Sequence, residues 1–373
     1  MMPIDVSARA AATRDRLAES GAGTLIVTDL TNLRWLTGFT GSNGFGIVLP
    51  DELVLVTDGR YGDQAERQLA AAHADGGRTR VLVGRTGGQV LDLVAETVSH
   101  VASVGFESAH VSHQQFVDFG ERFRPTLVPT LGVIERGRRT KDAAEIERMA
   151  QACAIADSAL AEVARSIRPG RTEAEIRNAL EIRMRELGAS GPSYETIVAT
   201  GPTNAPLPHH RPTPTEVQDG HTVIIDVGAL YEGYHSDMTR TFLVGTPTAL
   251  QQEVYDVVLA AQTAGVAAVR PGITTAELDA VCRNIISSAG LGEWFIHGTG
   301  HGVGLLIHED PFVNSAGRDE LQVGDVVTVE PGVYREDFGG VRVEDLVLVT
   351  STGCRVLTSS PKDFPCLPSA PTT

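Results

Sequence analysis

TVIIDVGALYEGYHSDMTRTFLV, residues 222–244, carries two aspartates on strand-like runs joined by a glycine-containing turn. Residues 222–230 are an apolar run suited to a buried strand, YEGY supplies the turn, and HSDMTRTFLV at 235–244 returns. An antiparallel hairpin centred on residues 231–233 puts Asp226 and Asp237 on one face, opposite or diagonal to each other. The device recurs downstream, where VVTVEPGVY at 326–334 and GGVRVEDLVLV at 339–349 flank the turn REDF. Centring that hairpin on Asp337 brings Glu330 opposite Glu344, with Arg342 two residues away on the same face.

Four carboxylates on apolar strands are expensive, because a buried ion costs several kcal/mol unless it is paired or coordinated. Salt bridges to Arg240, Arg342 or a nearby lysine are one solution, but basic residues near these strands are too few to pair all four acids. A metal cation is the other solution. HGTGHGVGLLIHEDP at 297–311 adds His297, His301 and His308, separated by glycines that let the backbone approach a site closely. A carboxylate-rich site with an imidazole suits manganese first, with zinc, cobalt and iron as competitors. Cys153, Cys282, Cys354 and Cys366 are too scattered for thiolate zinc. HEDPF at 308–312 lacks the second histidine of an HExxH helix, and neither GxSxG nor a Walker loop is present.

The rest of the 373 residues organises around these hairpins. From about residue 20, short β-rich runs alternate with helical stretches: TLIV (24–27), FGIVLP (45–50), ELVLVTD (52–58), VLVG (81–84), ASVGFES (102–108) and TLVPT (126–130). This predicts an α/β domain over 1–137 and a second domain over 138–358, followed by a Pro- and Ser-rich tail, 359–373, expected to be disordered. RPGRTEAEI at 168–176 reappears as RPGITTAEL at 270–278, each with a Thr/Glu capping box for the next helix. Such a repeat predicts two similar halves about a pseudo-twofold axis, with a site where their strands meet.

Composition narrows the partners. With 31 Lys plus Arg against 47 Asp plus Glu, the net charge of -16 opposes nucleic acid and anionic membranes. The scattered cysteines, an N-terminus with early acidic residues and no continuous apolar stretch, and the lack of any run of about eighteen apolar residues point to a cytoplasmic protein.

The motifs DVG..YEGYHSDMTRTF, HGTGHGVGLLIHE, TVEPGVY and GVRVED, in this order, resemble the pita-bread metallopeptidases, specifically the Xaa-Pro dipeptidase (prolidase) and Xaa-Pro aminopeptidase branch. The resemblance covers about 140–350, and GFTGSNG (38–44) with TDGRY (57–61) is similar to the creatinase-type domain that precedes the catalytic one. It implies two divalent ions: Asp226 on one, Asp237 and Glu344 on both, His301 and Glu330 completing the second. It also implies outer roles for His209 (in PHHRP), His297 and His308 around the substrate carbonyl and proline, although His210 stands where the family has a small residue, so either imidazole is a candidate to face the site.

The reaction implied is hydrolysis of the Xaa-Pro bond of dipeptides or short peptides, dipeptides being preferred over the longer substrates of an aminopeptidase. Glu330 is the candidate general base, His308 the donor to the carbonyl oxygen, and Arg342 the partner that neutralises and orients Glu344. Tyr194, with His209 and His297, is placed near the proline pocket, and Arg342 is counted among substrate-binding residues. A homodimer is expected, and Trp35 is either a core residue or one that reaches a neighbouring active site. Rival readings are a metal-free creatinase-like amidinohydrolase and a non-catalytic peptide-binding module on the same scaffold.

Overall fold

The β-branched runs in the first third of the chain pair as one sheet. Its strands are β1 (Leu25–Val27), β2 (Phe45–Val48), β3 (Leu53–Asp58), β4 (Thr79–Gly84), β5 (Ser103–Glu107) and β6 (Thr126–Thr130). They lie in the order β4-β3-β2-β1-β5-β6 in this computed structural model, which describes residues 1–363, 366 and 367. Helices between the strands bury Val90, Val94 and Phe119 against Ile26, Ile47 and Val56. Trp35 is a core residue of this unit, 5% exposed, with the Arg9 guanidinium 4.8 Å above its ring. The chain divides into two units, Met1–Arg138 and Arg139–Thr373. No helix among the described residues is long and apolar enough to cross a membrane.

In the second unit the duplicated RPG segments do equivalent work. Thr172 and Thr274 cap helices Glu173–Glu186 and Thr275–Ser288, each with the reciprocal Glu three residues on. Gly170 (φ 85°) donates to Val217 O and Gly272 (φ 80°) to Leu321 O. Val217 and Leu321 in turn donate to Arg171 O and Ile273 O, so the two segments are tied down in matching fashion. Each half has its own core. The helices over 143–186 pack on Val223, Ile225 and Val227; those over 249–288 pack on Val327, Val329 and Val347.

The described strands of this unit fall into four sheets. β7 (Gly191–Pro192), β10 (Ala229–Tyr231) and β11 (Tyr234–His235) form one; β8 (Ile197–Thr200), β9 (Thr222–Asp226), β12 (Thr239–Val244) and β20 (Cys366–Leu367) another. β13 (Gly300–Gly302), β14 (Glu309–Val313), β15 (Val326–Val329), β18 (Asp345–Thr350) and β19 (Gly353–Val356) make the third, in the order β14-β13-β15-β18-β19. β16 (Gly332–Arg335) pairs with β17 (Gly339–Arg342) alone.

Both acidic hairpins exist, but neither stays in one sheet. In the first, β9 pairs with β12 and then the same two arms continue as β10 and β11 in a different sheet. In the second, β15 pairs with β18 and the arms continue as β16 and β17. Register is kept across both breaks: Tyr231 faces Tyr234 and Asp226 faces Thr239, while Gly332 faces Arg342 and Val329 faces Asp345.

The tail departs from expectation where it is described. Asp157 accepts from the backbone and hydroxyls of Ser359 and Ser360, and Lys362 Nζ lies 2.6 Å from Asp345 Oδ2. Leu367 O accepts from Gly245 N–H, alongside the β20–β12 pairing. Pro and Ser composition suggested disorder, but buried hydrogen-bond acceptors on the folded unit capture this segment. The rest of the tail lies outside the described residues.

Candidate metal centre and active site

The four acids sit where each hairpin leaves one sheet for the next. Asp226 ends β9, and Asp237 lies diagonal to it, two residues before Thr239, its cross-strand partner. Glu330 and Glu344 occupy the opposed positions between the β15–β18 and β16–β17 pairs. Glu344 N–H donates to Thr239 O, which joins the two hairpins, and Asp226, Asp237 and Glu344 bring carboxylate oxygens within 4.8 Å of one another. His301 enters from β13, which pairs with β15, and its Nε2 lies 3.5 Å from Asp237 Oδ2 and 3.4 Å from Glu330 Oε1.

The electrostatics of this cluster call for a cation. Asp237 and Glu344 are 5% and 1% exposed. Burial first, and then repulsion from the neighbouring carboxylates, push both well above the usual carboxylate range. His301 Nδ1 donates to Gly302 O at 3.1 Å, which directs the Nε2 lone pair at two carboxylates. A neutral imidazole so placed presents a lone pair to two carboxylates, an arrangement that a divalent ion between them would satisfy. The donor set of four carboxylates and one imidazole therefore fits divalent ions of the manganese to zinc series. Salt bridging does not replace them: Arg240 pairs with Asp345, and Arg342 reaches only Asp226 of the four.

All five candidate ligands line one cavity of about 340 Å³, together with Tyr194, His209, His297, His308 and Arg342. His209 is the imidazole of PHHRP that faces it. His210 is buried elsewhere, with Nε2 2.8 Å from Glu173 Oε2. The same carboxylate accepts from the N–H groups of Thr200 and Thr213 and from Asn204 Nδ2. His308 stands at the exposed rim with its ring 4.4 Å from that of His301; partial burial, and then His301, lower its pKa. His297 is kept neutral mainly by burial. Its Nδ1 donates to Gly298 O at 2.7 Å, so Nε2 accepts from the Tyr334 hydroxyl at 2.9 Å.

One expectation is corrected here. Arg342 does not pair with Glu344. Its Nη2 donates to Asp226 Oδ2 at 2.7 Å, Nη1 to Tyr334 Oη at 2.7 Å and Nε to Thr239 Oγ1 at 2.9 Å. It reaches Glu344 only through Thr239, whose hydroxyl donates to Glu344 Oε2 at 2.6 Å. The cause is β17 lying beside β12, where Thr241 Oγ1 bonds both N–H and C=O of Arg342 and turns its side chain towards the first hairpin. These bonds engage the guanidinium of Arg342, which also lines the cavity. Tyr194, expected near a proline pocket, lines the same cavity as His209 and His297 and directs its hydroxyl at the acids, lying 2.5 Å from Asp237 Oδ1 and also in contact with Asp226.

Thr239, Tyr334 and Glu173 were missed by the sequence reading. Tyr334 was accessible to it, because Glu330, Gly332 and Tyr334 alternate onto one face of VEPGVY. Thr239 required the register opposite Asp226. Glu173 carried no signal beyond its place in a capping segment.

Known proteins are similar to this chain in sequence and fold. Residues 147–351 match the model of metallopeptidase family M24, and residues 9–140 that of the creatinase/prolidase N-terminal domain. An Xaa-Pro dipeptidase of Pyrococcus furiosus is 39% identical over 274 residues, covering 73% of this chain and 78% of its own. The solved Xaa-Pro dipeptidase from Bacillus anthracis superimposes with a TM-score of 0.93 at 36% identity, covering 97% of this chain and 100% of that one. The X-Pro aminopeptidase of Thermotoga maritima does so with a TM-score of 0.84 at 32% identity, covering 95% and 99%. On the match over 147–351 and the site it encloses, the chain belongs to metallopeptidase family M24, behind a creatinase/prolidase N-terminal domain.

Proposed function

We propose that the protein hydrolyses the peptide bond between an amino acid and a following proline, with two divalent ions held by Asp226, Asp237, His301, Glu330 and Glu344. Manganese is the first candidate. The observation that carries this reading is the buried cluster of mutually repelling carboxylates facing the His301 lone pair inside the cavity. Bound divalent ions supply Lewis acidity and a water whose pKa is brought near neutrality. The names of the relatives support proline specificity, and they include both dipeptidases and an aminopeptidase.

The chain's own residues then divide the work. Glu330 takes the proton of the attacking water, since its side chain is the most exposed of the five ligands at 18%. His308, at the rim, donates to the substrate carbonyl oxygen as negative charge develops there. His209 and His297 flank the space left for proline, a residue with no N–H and a fixed φ that needs a shaped pocket. Arg342 and Thr239 fix Asp226 and Glu344, and Tyr334 fixes the tautomer of His297. Protein stripped of metal should lose Xaa-Pro cleavage and regain it with manganese. Activity indifferent to chelation overturns the proposal, and retention of metal without any peptide cleavage favours a binding module.

A further inference from the structure

An Xaa-Pro dipeptide differs from a longer peptide in one respect that the cavity must meet. Its free carboxylate sits on the proline Cα, with its carbon roughly 2.5 Å from the scissile nitrogen. It therefore enters the cavity with the bond to be cut. A carboxylate taken out of water needs a cation or several converging donors. In Xaa-Pro-Yaa the same position carries a neutral carbonyl, and the terminal carboxylate lies roughly 3.5 Å farther out for each added residue, towards solvent.

The wall offers such a carboxylate no free cationic side chain, its remaining polar side chains being His209, His308 and Asn314. Among the described residues that line the cavity, Arg342 is the sole permanent cation, and its guanidinium is held by Asp226, Tyr334 and Thr239. His297 has both ring nitrogens engaged. Arg211, next to His210 along the loop, is ion-paired with Glu195. The lining also carries an apolar stretch: Phe312, on the edge strand β14, leaves 45% of its surface exposed, and Val313 and Ile307 line the same cavity. An exposed phenyl ring beside a cavity suits a peptide that continues past proline, and it gives a carboxylate nothing to bond.

We infer that this site selects peptides extended beyond proline over free Xaa-Pro dipeptides, and that Phe312 forms the wall responsible. The inference rests on the Xaa-Pro activity proposed above and reverses the preference for dipeptides expected from sequence. The ring excludes water from the leaving side of the bond without compensating a charge placed there.

Charge and length are separable in the test. The manganese-loaded protein is assayed with Ala-Pro, Ala-Pro-NH2 and Ala-Pro-Ala, the amide keeping the dipeptide's length while removing its charge. Both neutral-ended substrates should give kcat/KM about tenfold or more above that of Ala-Pro. Equal or better cleavage of Ala-Pro than of its amide overturns the inference and leaves proline-specific hydrolysis standing. Cleavage of none of the three overturns both. Phe312→Arg should shift the ratio of Ala-Pro to Ala-Pro-NH2 at least tenfold towards the free acid, while Phe312→Leu should keep the amide ahead. An unmoved ratio in a Phe312→Arg protein that still cleaves the amide removes Phe312 from the account.

Discussion

His210 Nε2 lies 2.8 Å from Glu173 Oε2, and this bond decides which imidazole of PHHRP is available to the cavity. Glu173 is fully buried and also collects N–H groups from both ends of the loop, at Thr200 and Thr213. Glu173→Ala strands those donors and should destabilise the protein by about 3 kcal/mol. Because the loop also carries His209, kcat/KM for an Xaa-Pro peptide should fall even at temperatures where the variant stays folded. Urea unfolding and kinetics on the same preparation check both effects.

Asp237 and Glu344 are the most deeply buried of the four acids, and after burial itself the neighbouring carboxylates push both well above the usual carboxylate range. Asp237→Ala and Glu344→Ala should each abolish binding of both ions, whereas Asp226→Ala should spare one. Metal content by mass spectrometry after dialysis reads this directly. A variant at either shared position that retains two ions per chain contradicts the assignment.

Thr239 hands the guanidinium of Arg342 on to Glu344. Thr239→Val keeps the shape and removes the hydroxyl, so it should weaken metal affinity by about 10- to 100-fold while changing stability far less than loss of a ligand. Titration with manganese, read by heat rather than by activity, separates this from a catalytic defect.

His110, in the N-terminal unit, gives a pH signature of a group outside the ligand set. Burial alone lowers its pKa, but the hydrogen bond to Glu135 at 2.8 Å and the charges of Asp29 and Glu107 outweigh this and raise it above the ordinary value. Its stabilising contribution is therefore complete below about pH 6.5 and is lost as pH rises through the folded pKa. The ring is partly open to solvent, which holds the effect to less than about 1 kcal/mol. The unfolding free energy of wild type relative to His110→Gln should shrink between pH 6 and pH 8.

The C-terminal segment should matter more than its composition suggests. Arg240, 2% exposed, donates to Asp345 and to the backbone carbonyls of Ser360 and Pro361, and its neighbour Thr239 touches Glu344. Arg240→Leu should cost about 3 to 5 kcal/mol in urea unfolding. Ending the chain at Thr358 should lower stability in the same direction.

The sequence disclosed the carboxylate pairs because strand residues alternate with a period of two and turn position sets what faces what. Counting outward from Asp337 gives Glu330 opposite Glu344, as the strand pairing has it. The N-terminal strands were equally legible as bounded β-branched runs. What a single segment cannot disclose is how two hairpins pack on each other. The partner of Arg342 depends on β17 lying against β12, and Tyr194 approaches the acids from a loop some thirty residues before Asp226. The docking of Ser359 and Ser360 on Asp157 likewise joins residues about two hundred apart.

Because each hairpin holds one register from its turn through the break between sheets, the turn acts as a ruler for the chemistry several residues away. One residue inserted among Glu336, Asp337 and Phe338 would slide β16 against β17, and with period two it would swing Glu330 to the opposite face from Glu344. Loop tips usually accept changes of length that strands refuse. Here two exposed turns are held to a fixed count by carboxylates they never touch.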